Sequence, residues 1–441
     1  MEPLDTDQLG RQNPLPIREA TFLSKAFAQS MHPTKIIPFY YKARAPVDAE
    51  DVTITTLVTS NRYKVLKQLV ERYQGPISVT IHIPMPSRNL NPPSHTATRH
   101  FINAVKDLEA LYASSPHFAT YVDVHLALSP SSGTGSSGTN DPDTGTTEGA
   151  RQFNVWRNIA RLFSRTEFVM MLDVDFAICT DWRSAIRNNL GRYNNDYKGS
   201  RLGLGLDEAA ARDTRNTSII DVEVIKKLRD GKIALVLPAF EYVRQEDGID
   251  QSTFPRDKEV LMRLTSGPTP KIAAFHASWA PGHNSTDYAK YFSIPPGLEE
   301  VYEVTQYQSA YEPYVIMSKR VTWCDERFTG YGGNKAACLF ELYLSGVTFY
   351  VMSDHFLIHQ SHKYEEEARR EERKYNRKLY ADFKEEACLR YLYRFKSTGQ
   401  LHTPIASNVI GECKKLKSVA KAAPEVRWFS LSYGPLTVSL K

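Results

Sequence analysis

The chain has 441 residues, 41% hydrophobic and 11% aromatic, enough for a sizeable core in one large domain or two smaller ones. Its 55 basic and 50 acidic residues leave a net charge of +5, and no basic stripe is interleaved with aromatics, which argues against a nucleic-acid surface. The N-terminus has no apolar h-region and the sequence no run of about 18 apolar residues, so neither a signal peptide nor a membrane anchor is expected in it.

Residues 1–50 are polar and punctuated by proline, and read as an extension lying over the main domain. The β-branched run Val52–Thr59 predicts the first strong strand. Ser60-Asn61-Arg62 opens a helix with apolar positions at Val65, Leu66, Leu69 and Val70, and Gln74-Gly75-Pro76 breaks it. Ile77–Ile83 predicts a second strand, 97–113 a helix, and Tyr121–Leu128 a third strand. Strands alternating with helices at this spacing predict a right-handed parallel α/β sheet. Neither G-x-G-x-x-G nor G-x-x-x-x-G-K-[ST] occurs.

Residues 129–149, SPSSGTGSSGTNDPDTGTTEG, cannot bury a core and read as a disordered surface insert. They are no domain boundary, because a predicted helix, 151–164, leads directly into the next strand. That strand, FVMMLDVD (168–175), is continuously apolar until Asp173-Val174-Asp175. Such a run predicts a strand buried on both faces at the centre of the sheet. Ligands of open α/β sheets sit outside the carboxyl ends of strands. If the strand continues through the motif, Asp173 and Asp175 share one side. Two carboxylates there make a hard oxygen site suited to Mg²⁺ or Mn²⁺ holding a diphosphate, or simply an acidic turn. Arg157 and Arg161 share a helix face, either solvated or turned toward a nucleotide.

Further on, 181–190 predicts a helix, 191–217 a polar stretch, Ile233–Pro238 a buried strand and 250–265 a helix. The region 275–314 is rich in aromatics, Gly and Pro, which suits either a sugar-stacking surface or irregular packing. The Gly-rich DERFTGYGGNK (325–335) opens a helix through Leu344, Thr348–Met352 predicts a strand, and 364–395 a long helix whose charge reads mostly as a solvated face. Five cysteines lack C-x-x-C spacing, and two N-x-S/T sequons occur at Asn216 and Asn284.

Several segments in this order resemble glycosyltransferase family 49. They include ERYQGPISVTIHI (71–83), RNIAR (157–161), FVMMLDVDF (168–176), LVLPAFE (235–241), PGHNSTDY (281–288), YEPYVI (311–316), DERFTGYGGNK and FLIHQSHK (356–363). The resemblance implies a GT-A fold, α/β with a mostly parallel sheet flanked by helices, forming one catalytic domain over 51–395 with a C-terminal extension, 396–441. It implies a UDP-sugar donor, best guess glucuronic acid, a glycan or glycoprotein acceptor, Mn²⁺ or Mg²⁺, and inversion at the anomeric carbon. By the same resemblance Asp173, Asp175 and His359 are metal ligands. Thr59, Ser60, Arg157, Asn158, Arg161, Val174 and Lys363 fall on the donor side, and Glu241, His283, Tyr311, Gly332 and Asn334 on the acceptor side. For the general base Asp325 is the first candidate, with Glu241 and Glu312 as rivals, since Asn334 cannot act as one. Arg320 and Arg327 are candidates to meet a donor carboxylate. The resemblance also implies a Golgi or secretory location, in tension with the missing leader. Two other readings are a non-catalytic glycan-binding relative and a D-x-D phosphohydrolase with Asp173 as nucleophile.

Overall fold

The computed structural model describes residues 34–86, 95–130, 151–201, 220–362 and 366–424. The N-terminal half supplies β1 (Lys35–Tyr41), β2 (Val52–Thr59), β3 (Ile77–Met85), β4 (Val122–Pro130) and β5 (Phe168–Met171). Between them lie helices α1 (Tyr63–Tyr73), α2 (His95–Ala113), α3 (Pro116–Tyr121) and α4 (Phe153–Leu162). Val65 is half-buried, while Leu66, Leu69 and Val70 of α1 are buried, as their helical spacing requires.

The second half adds β6 (Phe176–Ile178), α5 (Trp182–Arg201), α6 (Val222–Arg229), β7 (Ile233–Leu237), β8 (Ala239–Tyr242), α7 (Lys258–Thr265), β9 (Ile272–Ala274), α8 (Tyr288–Ser293), β10 (Val301–Glu303) and β11 (Tyr314–Ser318). It continues with α9 (Asn334–Leu344), β12 (Thr348–Met352), β13 (Leu357–His359), α10 (Glu366–Ser397), α11 (Ser407–Cys413) and α12 (Lys417–Ala422). Nine strands form the main sheet in the order β1-β4-β3-β2-β5-β11-β7-β12-β10, and β6-β13-β8-β9 form a smaller one. None of the helices in the described residues is long and apolar enough to cross a membrane.

The architecture is α/β as expected, and its sheet is mixed, with parallel and antiparallel pairs. Parallel pairing holds across β4-β3-β2-β5 and between β7 and β12. β11 runs antiparallel to both β5 and β7. The chain enters it from the irregular region before residue 314 instead of through a crossover helix, so nothing forces it to run parallel. β5 is central and buried on both faces. Val169 and Met171 belong to one hydrophobic core, and Phe168 and Met170 to the other.

The described parts of both expected extensions, 34–50 and 396–424, pack with this domain. Residues 35–41 form β1, which pairs with β4, and β4 itself runs through Ser129 and Pro130 into the start of the predicted insert. The remainder of that insert lies outside the described residues. Beyond residue 395, Val409, Cys413 and Val419 are buried in the same core as Val169 and Met171. A Cys388–Cys413 disulfide ties α11 to α10.

A second disulfide, Cys324–Cys338, joins residues 14 apart and pins the segment before the Gly-rich turn to α9. Closing a loop of this size restricts the unfolded chain, so Cys338→Ser should cost about 3 kcal/mol of stability. Urea unfolding under non-reducing conditions measures it, and an unchanged midpoint would count against the bridge.

Candidate active site

The main sheet ends where the chemistry begins. β5 stops at Met171, and residues 173–176 form a turn closed by Phe176 N–H donating to the Asp173 carbonyl at 3.1 Å. The strand therefore does not continue through the motif, strand alternation no longer applies, and the two aspartates diverge. Asp173 Oδ1 accepts from Arg157 Nη2 at 3.2 Å, while Oδ2 accepts from Tyr314 Oη at 3.1 Å and Lys335 Nζ at 3.4 Å. Burial raises the Asp173 pKa, but Lys335 and Arg157 outweigh it and hold the carboxyl ionised, well below the ordinary range.

Asp175 faces β13 and the residues after it. Atoms of Asp175, His359 and His362 lie within 4.8 Å of one another. Backbone pairing sets this up: His359 is in register with Phe176, and Gln360 N–H donates to the Asp175 carbonyl at 2.8 Å. His362 Nε2 lies 3.3 Å from Asp175 Oδ2, and Arg62 Nη2 3.0 Å from His362 Nδ1. The His359 ring packs against Phe176 and Phe275, each with centroids 5.0 Å away. That burial lowers its pKa to about 4, so the imidazole is neutral near pH 7 with a lone pair to give. A carboxylate beside two imidazoles fits a first-row divalent ion such as Mn²⁺ better than Mg²⁺, which prefers oxygen. Asp173 is committed instead to its cations and Tyr314.

Both clusters line one cavity of about 1040 Å³. Thr59, Arg157, Val174, His283, Glu312, Gly332 and Asn334 also line it; Ser60, adjacent to Thr59, does not. Asn334, the first residue of α9, accepts from Arg157 Nη1 at 2.6 Å and so holds that guanidinium on Asp173. Gly332 has φ +95°, and a Cβ there would lie 3.0 Å from the Arg373 Cα, so the turn needs glycine.

Other expected site residues lie elsewhere. Asp325 is fully buried outside the cavity lining and grips Arg327, with Oδ1 to Nε at 3.0 Å and Oδ2 to Nη2 at 2.7 Å. Its carboxylate is thus engaged by a guanidinium and takes no part in the cavity lining. Asn158 donates to the Cys324 carbonyl at 2.9 Å and to Glu326 at 2.7 Å. Arg161 donates to the carbonyls of Lys319, Val321 and Thr322. Both therefore brace the 319–326 segment. Tyr311 is fully buried with its hydroxyl 2.8 Å from that of Thr286. Glu241 accepts from His276 N–H at 2.9 Å and is not part of the lining. Arg320 pairs with Glu167 at 2.8 Å and is not part of the lining, and Arg327 is held by Asp325. Lys363 lies outside the described residues.

Sequence reasoning missed His362, Lys335, Arg62 and one face of α10. Arg369, Arg373 and Arg377, spaced four apart, all line the cavity. The 4-residue spacing was visible in the sequence, but the surrounding charges masked it. Glu372 and Asn376 on the same helix anchor it to the Gly-rich turn, through Tyr331 N–H at 2.9 Å and the carbonyls of Thr329 and Tyr331 at 2.7 and 2.8 Å.

Lys335 is buried, 3.1 Å from the centroid of the Tyr314 ring. Desolvation lowers its pKa to about 8, against the opposing pull of Asp173. The ammonium is charged below that pH and neutral above it. Affinity for a diphosphate in this cavity should therefore weaken as pH rises through about 8, and Lys335→Arg should remove that decline. Calorimetric UDP titrations at several pH values provide the check, and a flat profile for the native protein would count against it.

Asp173 and Asp175 after the strand end, the Asp175–His359–His362 trio and several basic side chains thus line one cavity. The chain belongs to the family described as "Glycosyl-transferase for dystroglycan", whose family model matches residues 51–392. It is 25% identical over 337 residues to xylosyl- and glucuronyltransferase LARGE1 of Danio rerio, covering 76% of this chain and 34% of that protein. Against human LARGE1 the identity is 24% over 336 residues, again 76% and 34% of the two chains. Human LARGE2 is 25% identical over 317 residues, 72% of this chain and 34% of that protein. The chain thus spans about a third of the length of these relatives. Among solved structures, S. aureus TarS 1–349 in complex with UDP-GlcNAc aligns with 87% of this chain and 76% of that chain, at 12% identity and a TM-score of 0.25.

Proposed function

We propose that the chain is a metal-dependent, inverting glycosyltransferase that moves a sugar from a UDP-sugar to a glycan acceptor. The observation that carries this reading is the Asp175–His359–His362 trio opening into the same cavity as Arg157, Lys335 and Glu312. Asp175, His359 and His362 would hold Mn²⁺, which would supply charge neutralisation for a diphosphate leaving group. Arg62, beside the trio, and Arg157 and Lys335, beside Asp173, add fixed positive charge.

Glu312 is the general base in this reading. It lines the cavity, and burial raises its pKa while Lys335 and Arg157 oppose the rise. A carboxylate with a raised pKa is a stronger proton acceptor. It takes the proton of the acceptor hydroxyl as that oxygen bonds to the anomeric carbon, and the diphosphate leaves from the opposite face. Glucuronic acid is the donor sugar this cavity suits best, because Arg369, Arg373 and Arg377 offer partners for its carboxylate. Two disulfides suit an oxidising lumen such as the secretory pathway, including the Golgi.

A phosphohydrolase would need Asp173 free to attack, yet that carboxylate is held by Arg157, Tyr314 and Lys335. A glycan-binding relative without turnover would have no use for the trio. The experiment is UDP release by the purified protein with Mn²⁺ across a panel of UDP-sugars. The reading expects release that depends on metal, strongest with UDP-glucuronic acid. Failure of folded protein to bind UDP with Mn²⁺ would overturn it.

A further inference from the structure

We propose that Trp279 is the platform on which the acceptor sugar ring stacks beside Glu312, a proposal that rests on the transferase reading above. Trp279 lines the cavity and is 48% exposed, whereas Trp156 and Trp182 are fully buried. Leaving an indole in water forfeits the burial of a large apolar surface. An exposed ring beside a polar cavity is therefore a feature whose use has to be sought in what the cavity binds.

The backbone that carries the ring is also held in place. Trp279 N–H donates to the His276 carbonyl at 2.8 Å, and the Trp279 carbonyl accepts from Gly282 N–H at 3.1 Å. Gly282 lies against the ring so closely that a Cβ would come within 2.6 Å of Cε3 and Cζ3. The carbonyl of the same glycine accepts from Glu312 N–H at 2.8 Å. One backbone link thus fixes the indole and the proposed base in a common frame. A flat, uncharged, partly solvated surface recognises the C–H face of a pyranose, the face left by equatorial hydroxyls. The link through Gly282 to the proposed base assigns this surface to the acceptor ring, and the specificity is for a pyranose with an unsubstituted C–H face.

The test is binding of methyl β-xylopyranoside and methyl β-glucopyranoside, followed by saturation-transfer NMR in the presence of UDP and Mn²⁺. UDP–Mn²⁺ affinity is measured in parallel by calorimetry. Trp279→Ala should weaken glycoside binding about fivefold to tenfold, and Trp279→Phe, which keeps a ring, by much less. Gly282→Ala should imitate Trp279→Ala by displacing the ring without removing it. UDP–Mn²⁺ affinity should be the same in all three variants. Three results would each overturn the platform: native protein that binds neither glycoside while binding UDP, a Trp279→Ala variant that binds them like the native protein, or a loss confined to UDP affinity. Failure of the transferase reading is distinguishable, because the native protein would then bind no UDP–Mn²⁺.

Discussion

Asp175→Asn should lower metal-dependent UDP release by at least about 10³-fold, roughly 4 kcal/mol of transition-state stabilisation. The amide keeps the shape of the side chain, and the link from Gln360 N–H runs to the Asp175 backbone carbonyl, so the turn survives. What is lost is the one negative charge in the trio. His362→Ala should act in the same direction through the same ion, leaving Asp175 and His359 in place. Raised Mn²⁺ should partly restore the His362 variant, because only one of three ligands is missing. Release at the native rate from either folded variant would show that the metal, if required, binds elsewhere.

Glu312→Gln should lower the rate of transfer by about 10²–10⁴-fold, with the affinity for UDP–Mn²⁺ retained. The native rate should also fall as pH drops through the raised pKa of Glu312, since protonation removes the base. The Gln variant should lack that acid limb. Asp325→Asn should do the opposite. It breaks a fully buried carboxylate from Arg327, so stability falls by about 3 kcal/mol while turnover per folded molecule holds. Urea unfolding and single-turnover kinetics on the two variants separate these outcomes. An Asp325 variant that unfolds normally but does not turn over would return Asp325 to the role of base.

The residues that were legible in the sequence are those whose signal is local. The apolar run ending at Met171 marks a strand, and β2 occupies the predicted interval Val52–Thr59 because β-branched residues fill it. Arg157, Asn334 and His359 were legible as parts of ordered motifs, and each lines the cavity. What could not be read was direction. RNIAR carries three polar side chains, but only packing decides that Arg157 enters the cavity while Asn158 and Arg161 turn to the 319–326 backbone. Asp325 and Glu312 are equally acidic on paper. Arg327, two residues away, captures the first, whereas the second reaches the cavity. The arginines of α10 were overlooked because 4-residue spacing within a dense run of charge looks like a solvated face until another element packs on it. β11 was hidden among aromatics and prolines, and with it the mixed direction of the sheet.

The metal centre is the claim on which the rest depends. Crystals grown with UDP and Mn²⁺ and measured at a wavelength where manganese scatters anomalously would locate it directly. The expected result is one anomalous peak in contact with Asp175, His359 and His362, beside the diphosphate. A peak on Asp173 in place of the trio, or a bound UDP with no manganese while turnover remains metal-independent, would contradict it.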